Sequence, residues 1–169
     1  AINPNNARAH NNLGVAFQKN QENDLAINHF NCAISLDSDY VSPHLNKAML
    51  LLSLGDFASG WRLYEWRWKN AQWNSFKRHF AQALWLGEQT IQGKKLFVHA
   101  EQGIGDYIQF SRLINLLVTS GVDVIAEVPE SIFSLMQSVN AKVNWQIQGG
   151  RILEFDYHCP VMSLPLALR

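Results

Sequence analysis

The sequence predicts a molecule of two parts: paired antiparallel helices over residues 1–69, then a half domain of alternating strands and helices over 93–169, with a connector at 70–92. Three observations predict it. The first third repeats itself at an offset of 34 residues. A strand, a glycine turn, a helix and a second strand follow one another from Gly93. Hydrophobic residues make up 47% of the chain and charged ones 17%, the balance of a folded chain and not of a disordered one.

The charge balance excludes several classes of function. Fourteen basic and fourteen acidic residues give a formal net charge of zero, so no overall field draws the chain to nucleic acid or an anionic membrane. The longest apolar runs, such as Ala48–Leu52, are too short to span a bilayer. The start, Ala1-Ile2-Asn3-Pro4, has neither the basic residues nor the apolar stretch of a signal peptide. Cys32 and Cys159 fall in different segments without metal-ligand spacing, and read as two free thiols in a reducing cytoplasm. No metal site and no cofactor is expected. The missing initial Met and the unpunctuated end at Leu166-Ala167-Leu168-Arg169 suggest a piece of something longer.

The helical part is periodic. Ala7–Tyr40 aligns with Val41–Asn74, matching His10 to His44, Asn12 to Asn46 and Phe30 to Tyr64. In the first unit Leu13, Gly14, Phe17, Ala26, Phe30 and Ala33 stand at positions 7, 8, 11, 20, 24 and 27. This resembles the tetratricopeptide (TPR) repeat, in which small residues let two helices approach and larger ones fill the gaps. The second unit keeps Ala48, Gly60 and Tyr64 but departs at Lys47 and Arg67, the drift expected where a repeat abuts another domain. Helices are expected at about 7–19, 23–36, 41–54 and 57–69. The resemblance implies a protein or peptide partner on the concave face, lined by the first helix of each unit. Asn12 and Asn46 would sit there as a column whose carboxamides hold a peptide backbone, as in the asparagine ladder of O-linked N-acetylglucosamine transferase. Surface solubility explains two asparagines equally well.

Between the parts runs Gly60-Trp61-Arg62-Leu63-Tyr64-Glu65-Trp66-Arg67-Trp68. Trp61, Tyr64 and Trp68 share one helix face at i, i+3 and i+7, with Trp66 off it. Basic and aromatic residues together can stack single-stranded nucleic acid, but zero net charge and the lack of an RNA-binding motif weigh against it. A tryptophan stripe reads better as packing that fixes the repeats against the neighbouring domain. Within 70–92 only Leu84-Trp85-Leu86-Gly87-Glu88 is marked, as a short apolar anchor.

In the second part Lys95–Ala100 reads as a buried strand, Glu101–Asp106 as the turn, Tyr107–Thr119 as an amphipathic helix and Val122–Val128 as the next strand. That unit implies a parallel sheet with a right-handed crossover. A short helix at 130–138, strands at Val143–Ile147 and Phe155–Cys159, and a helix opened by Pro160 complete it. Gly103-x-Gly105-Asp106 lacks the third glycine of a dinucleotide fingerprint and the Lys of a P-loop. Asp106 can be a helix-capping carboxylate or a reactive one.

His99-Ala100-Glu101-Gln102-Gly103-Ile104-Gly105-Asp106-Tyr107-Ile108-Gln109-Phe110, Phe155-Asp156-Tyr157-His158-Cys159-Pro160 with Ser163-Leu164-Pro165-Leu166, and the tryptophan run are similar to stretches of bacterial proteins that carry a heptosyltransferase-like glycosyltransferase domain behind TPR repeats. The resemblance implies the N-terminal, Rossmann-like lobe of a GT-B fold, with the acceptor side here and the nucleotide-sugar donor held by a second lobe after Arg169. It implies Asp106 as general base, with Gln102, Gly103 and Gly105 in the substrate loop and His158 at the ligand-bearing edge, where a structural histidine is the other reading. Tyr107, where many relatives carry a small hydroxyl residue, would narrow the loop. The other reading of the whole is a TPR interaction scaffold with a degenerate α/β segment. An exposed sheet edge leaves room for self-association.

Overall fold

The computed structural model describes residues 5–70, 73, 77–101 and 103–169. Two compact units divide the chain, Ala1–Ser75 and Phe76–Arg169.

The first unit is two helical hairpins. Helix α1 (Ala7–Lys19) starts where the Asn6 side chain accepts a hydrogen bond from the Ala9 amide at 3.1 Å, and Lys19 closes its last turn. Helix α2 (Asn23–Leu36) returns against it. The close approach needs Gly14: a Cβ there would lie 2.5 Å from the Phe30 ring, which is fully buried. Ala26, Phe30 and Leu50 form a core flanked by Val15, Phe17 and Ile27. The small and large residues expected from the spacing are thus seen in contact.

Helix α3 (Val41–Ser53) ends one residue before the expected limit. Helix α4 (Phe57–Tyr64) starts on Asp56, whose carboxylate accepts from the Ser59 amide. The expected helix 57–69 is cut at Tyr64, and Glu65–Lys69 continues as a 3₁₀ turn. Three residues per turn eclipse side chains at i and i+3. Trp68 Nε1 accordingly donates to Glu65 Oε2 at 3.2 Å, and Lys69 Nζ sits 3.9 Å over the Trp66 ring. The tightened turn lets Trp66 stack on His44, with centroids 3.5 Å apart.

Arg67 is not a tolerated drift from a repeat pattern. It is fully buried, donates to Glu65 Oε1 at 2.6 Å and places its guanidinium over Tyr64 and Trp68. Among the described residues of this unit Trp61 meets Tyr64 edge-on, and Tyr64 meets Trp73. Within this unit the aromatic run packs around a paired cation.

The second unit is a wholly parallel five-stranded sheet of order β1-β5-β2-β3-β4. Its elements are β1 (Ala83–Leu84), β2 (Lys95–His99), α5 (Ile104–Thr119), β3 (Asp123–Val128), α6 (Phe133–Val139), β4 (Asn144–Ile147), β5 (Tyr157–Pro160) and α7 (Leu164–Ala167). Short 3₁₀ turns at Glu130–Ile132 and Val161–Ser163 lead into α6 and α7. Strands β2 and β3 are buried at every residue but their first, as the middle of a covered parallel sheet must be. The stretch read as a connector supplies β1, an edge strand beside β5. Pro160 ends β5 instead of opening a helix: it stays extended, with φ −63° and ψ 142°, opposite His99 in the ladder. Asp156 fixes the start of this pairing. Its carboxylate accepts from the Lys95 amide at 2.8 Å, and its amide donates to the Lys95 carbonyl at 2.9 Å.

The topology locates the ligand-bearing edge. From β2 the chain steps to β3 and β4 on one side, then returns to β5 on the other side of β2. The carboxyl ends of β2 and β5 thus flank the switch point, where open α/β sheets leave a crevice.

Candidate functional site

Two places hold the residues singled out by the sequence. The first is the switch point. Gly103 precedes α5 with φ +77°, a value glycine adopts without strain, and so turns the chain from β2 into the helix. Tyr107 N donates to Gly103 O, which leaves the amides of Ile104, Gly105 and Asp106 ahead of the helical ladder. Asp106 is exposed, in the first turn. Its Oδ2 lies over Gly103, 2.6 Å from where a Cβ on that residue would stand. This is where a carboxylate complements a helix N-terminus. Gly105 is exposed with open space around it. Gln102 lies outside the described residues.

Behind the turn is a pocket of about 50 Å³, lined by Ala100, Glu101, Gly103, Ile104, Tyr107 and Pro129. Tyr107 was expected to narrow the loop. It is turned inward, 2% exposed, and its hydroxyl finds no hydrogen-bond partner among the described residues. Burial, with Glu127 adding to it, pushes that hydroxyl's pKa far above the ordinary tyrosine value. Glu101 is also buried, and its Oε1 accepts from the Met162 amide at 3.1 Å. One carboxylate therefore ties the loop after β2 to the turn after β5, the two walls of the switch point.

His158 stands in a separate cluster. Its register partner in β2 is Phe97, so it shares a sheet face with Phe97 and His99. Its Nδ1 lies 3.3 Å from His99 Nε2, and Phe80 covers both rings. Burial, then the nearby Arg78, holds its pKa below the ordinary histidine value. Arg78 in turn pairs with Glu127, which is 2% exposed on β3. His158 thus belongs to this packed face, while Asp106 belongs to the exposed turn. Glu101, Arg78, His99 and Glu127 lie outside Gly103-x-Gly105-Asp106 and belong to no site motif of their own in the sequence. The available signal was an acid, Glu127, inside the apolar run Val124–Val128.

The second place is the helical unit. Asn12 is exposed on α1, and Asn46 is half-buried on α3. The amide that Asn46 meets is Asn11: its Nδ2 donates to Asn11 Oδ1 at 2.9 Å across the two helices. Of the expected pair, Asn12 faces outward and Asn46 has one donor committed to its neighbour.

Among the described residues no cluster of His, Cys, Asp and Glu could hold a metal ion, and no helix is long and apolar enough to cross a membrane. A helical hairpin repeat beside a parallel α/β unit is the class these features define. Residues 7–40 match the family model of the tetratricopeptide repeat, a fold that mediates contacts between proteins. Over 68 residues the chain is 34% identical to Protein FlbA of Caulobacter vibrioides, a stretch covering 40% of this chain and 11% of that protein. The chain thus spans about a tenth of the length of this curated relative.

Proposed function

We propose that two TPR repeats here, over residues 1–69, bind a protein or peptide partner, and that residues 93–169 are the acceptor-side lobe of a heptosyltransferase-like, GT-B sugar transferase of the cytoplasm. The observation that carries the catalytic half is the exposed carboxylate of Asp106 at the carboxyl edge of a parallel sheet, beside the topological switch. In the proposed reaction Asp106 takes the proton of an acceptor hydroxyl. The oxygen attacks the anomeric carbon, and the sugar–phosphate bond breaks with the nucleotide leaving. Gly103 and Gly105 keep the loop low enough for the acceptor, and Gln102, adjacent in sequence, is the third substrate-loop residue. His158 supports the loop after β5 from its packed face. The donor is the business of a second lobe, so this segment alone is inert.

A second reading has its own support. The Asp106 carboxylate folds over Gly103 as a helix cap would, and the adjoining pocket of about 50 Å³ is far below the several hundred that a ligand site usually offers. On that reading the α/β unit is a scaffold, with its exposed sheet edge open to a second copy. One experiment separates the two: Asp106→Asn in a protein containing both lobes, assayed for transfer from nucleotide sugars. Transfer should fall by at least about a hundredfold, the usual worth of a general base, while partner binding is retained. Unchanged transfer, or none in the parent, leaves the scaffold.

A further inference from the structure

We propose that the exposed face of α1 selects an acidic peptide, and this rests on the reading that the helical hairpins bind a partner. Helix α1 has three sides. His10 and Phe17 meet His29 on α2, and Gly14 meets Phe30. Asn11 meets Asn46 on α3. The remaining side carries Arg8, Asn12, Val15 and Lys19, at i, i+4, i+7 and i+11, which is one helix face. Arg8, Asn12 and Lys19 are exposed there, and their side chains enter no hydrogen bond or ion pair among the described residues. On α3 the exposed Met49 extends this face beyond Asn46.

The charge on these helices is one-sided. Neither α1 nor α3 contains an Asp or Glu. The acids of the unit lie elsewhere: Glu22, Asp24, Asp37, Asp39, Asp56 and Glu65 are on α2, the connections and the 3₁₀ turn. Two of them are already paired, Asp39 with Lys69 and Glu65 with Arg67. Lys47, the cation of α3, is turned to Asn31 on α2 at 2.7 Å. Arg8 and Lys19 are thus cations without counter-charge on a face that also offers a carboxamide and, from α3, the exposed apolar side chain of Met49. A chain that is neutral overall has made this face positive.

Helical rise puts Arg8 and Lys19 roughly 16 Å apart, with Asn12 between them. An extended peptide crossing at Asn12 can give its backbone to the carboxamide. Its side chains alternate to opposite sides, so acids on both sides meet a cation. Val15 is packed on the hairpin core, and the exposed Met49 is left to meet an apolar residue between the acids.

The test uses fluorescein-labelled peptides of a dozen residues in which Thr-Thr pairs alternate with pairs of Glu, of Gln or of Lys, so that the varied residue falls on both sides of the extended chain, titrated with the chain by anisotropy. The Glu peptide should bind roughly five to ten times more tightly than the Gln peptide at low salt, the worth of two exposed ion pairs. High salt should close the gap. The double variant Arg8→Gln/Lys19→Gln, checked for helicity by circular dichroism, should close it too. Equal binding of Glu and Gln peptides, stronger binding of the Lys peptide, or a gap that survives the double variant each overturns the acidic preference while leaving peptide binding standing. If no peptide binds at any salt, the interaction reading of the hairpins falls and this inference with it.

Discussion

Replacing Tyr107 with Phe should stabilise the α/β unit. Tyr107 is 2% exposed, and its hydroxyl is buried without a hydrogen-bond partner among the described residues. In the unfolded chain that hydroxyl is bonded to water, so folding strips it and returns nothing. Such a loss costs about 1–3 kcal/mol. Phe keeps the ring and its contacts, and removes only the oxygen. The small void left behind costs a few tenths of a kcal/mol at most, at about 24 cal/mol per Å³. The desolvation gain wins, and the net is a stabilisation of about 1 kcal/mol, some fivefold in the folding constant. Because the chain has two units, the readout must be local. Urea titration with pulsed amide exchange, followed on peptides from 93–169, reports this unit by itself. A loss of about 1 kcal/mol or more in Tyr107→Phe would overturn this account. It would mean the hydroxyl is bonded in the native protein, for instance to water in the adjoining pocket of about 50 Å³.

Two further outcomes arise from buried charge. Arg78→Met leaves Glu127 buried without its cation, and should cost about 3 kcal/mol in the same exchange assay. Arg78→Met/Glu127→Met should recover much of that, since removing both partners spares the unpaired charge. A single variant as stable as the parent would show that Glu127 does not depend on Arg78. The second outcome concerns pH. His44 and His158 both have pKa values held below 6.5, by burial first in each case. Below that value the unfolded chain takes up protons that the folded chain refuses, so stability is full above about pH 7 and declines as pH falls through 6.5. Urea midpoints from about pH 7.5 down to 5.5 should fall for both units, and His158→Gln should flatten the slope of the α/β unit alone. A midpoint that rises on acidification would reverse the sign of both shifts.

What the sequence disclosed, and what it hid, divides by range. The bounds of α1 and α2 were legible because the 34-residue repeat and the small-residue positions Gly14, Ala26 and Ala33 act within one hairpin. The parallel sheet was legible because buried strands are near-continuous apolar runs. The break at Tyr64 was not, since it is set by the stack of Trp66 on His44, some twenty residues away, and not by helix propensity. Strand β1 was invisible for a simpler reason: two residues carry no period, and it exists through its pairing with Tyr157 and His158.

The candidate site obeys the same division. Asp106 and its glycines lie within a few residues of each other, so their turn could be read. The tie across the switch point, Glu101 to Met162, and the tie within the packed face, Arg78 to Glu127, join residues 61 and 49 apart. A lone buried acid in a strand announces that it needs a partner, but nothing local says which cation supplies it. The same limit explains Asn46. Repeat alignment equates it with Asn12, because alignment compares positions along the chain, whereas the hydrogen bond is chosen by the crossing of α1 and α3, which brings up Asn11. Residue 12 is thereby left facing outward with Arg8 and Lys19. A helix turned by one residue would carry Asn12 into the place of Asn11, bring Leu13 outward and take Gly14 off Phe30, so the hairpin core, together with the interhelical bond, fixes which side chains of α1 face outward.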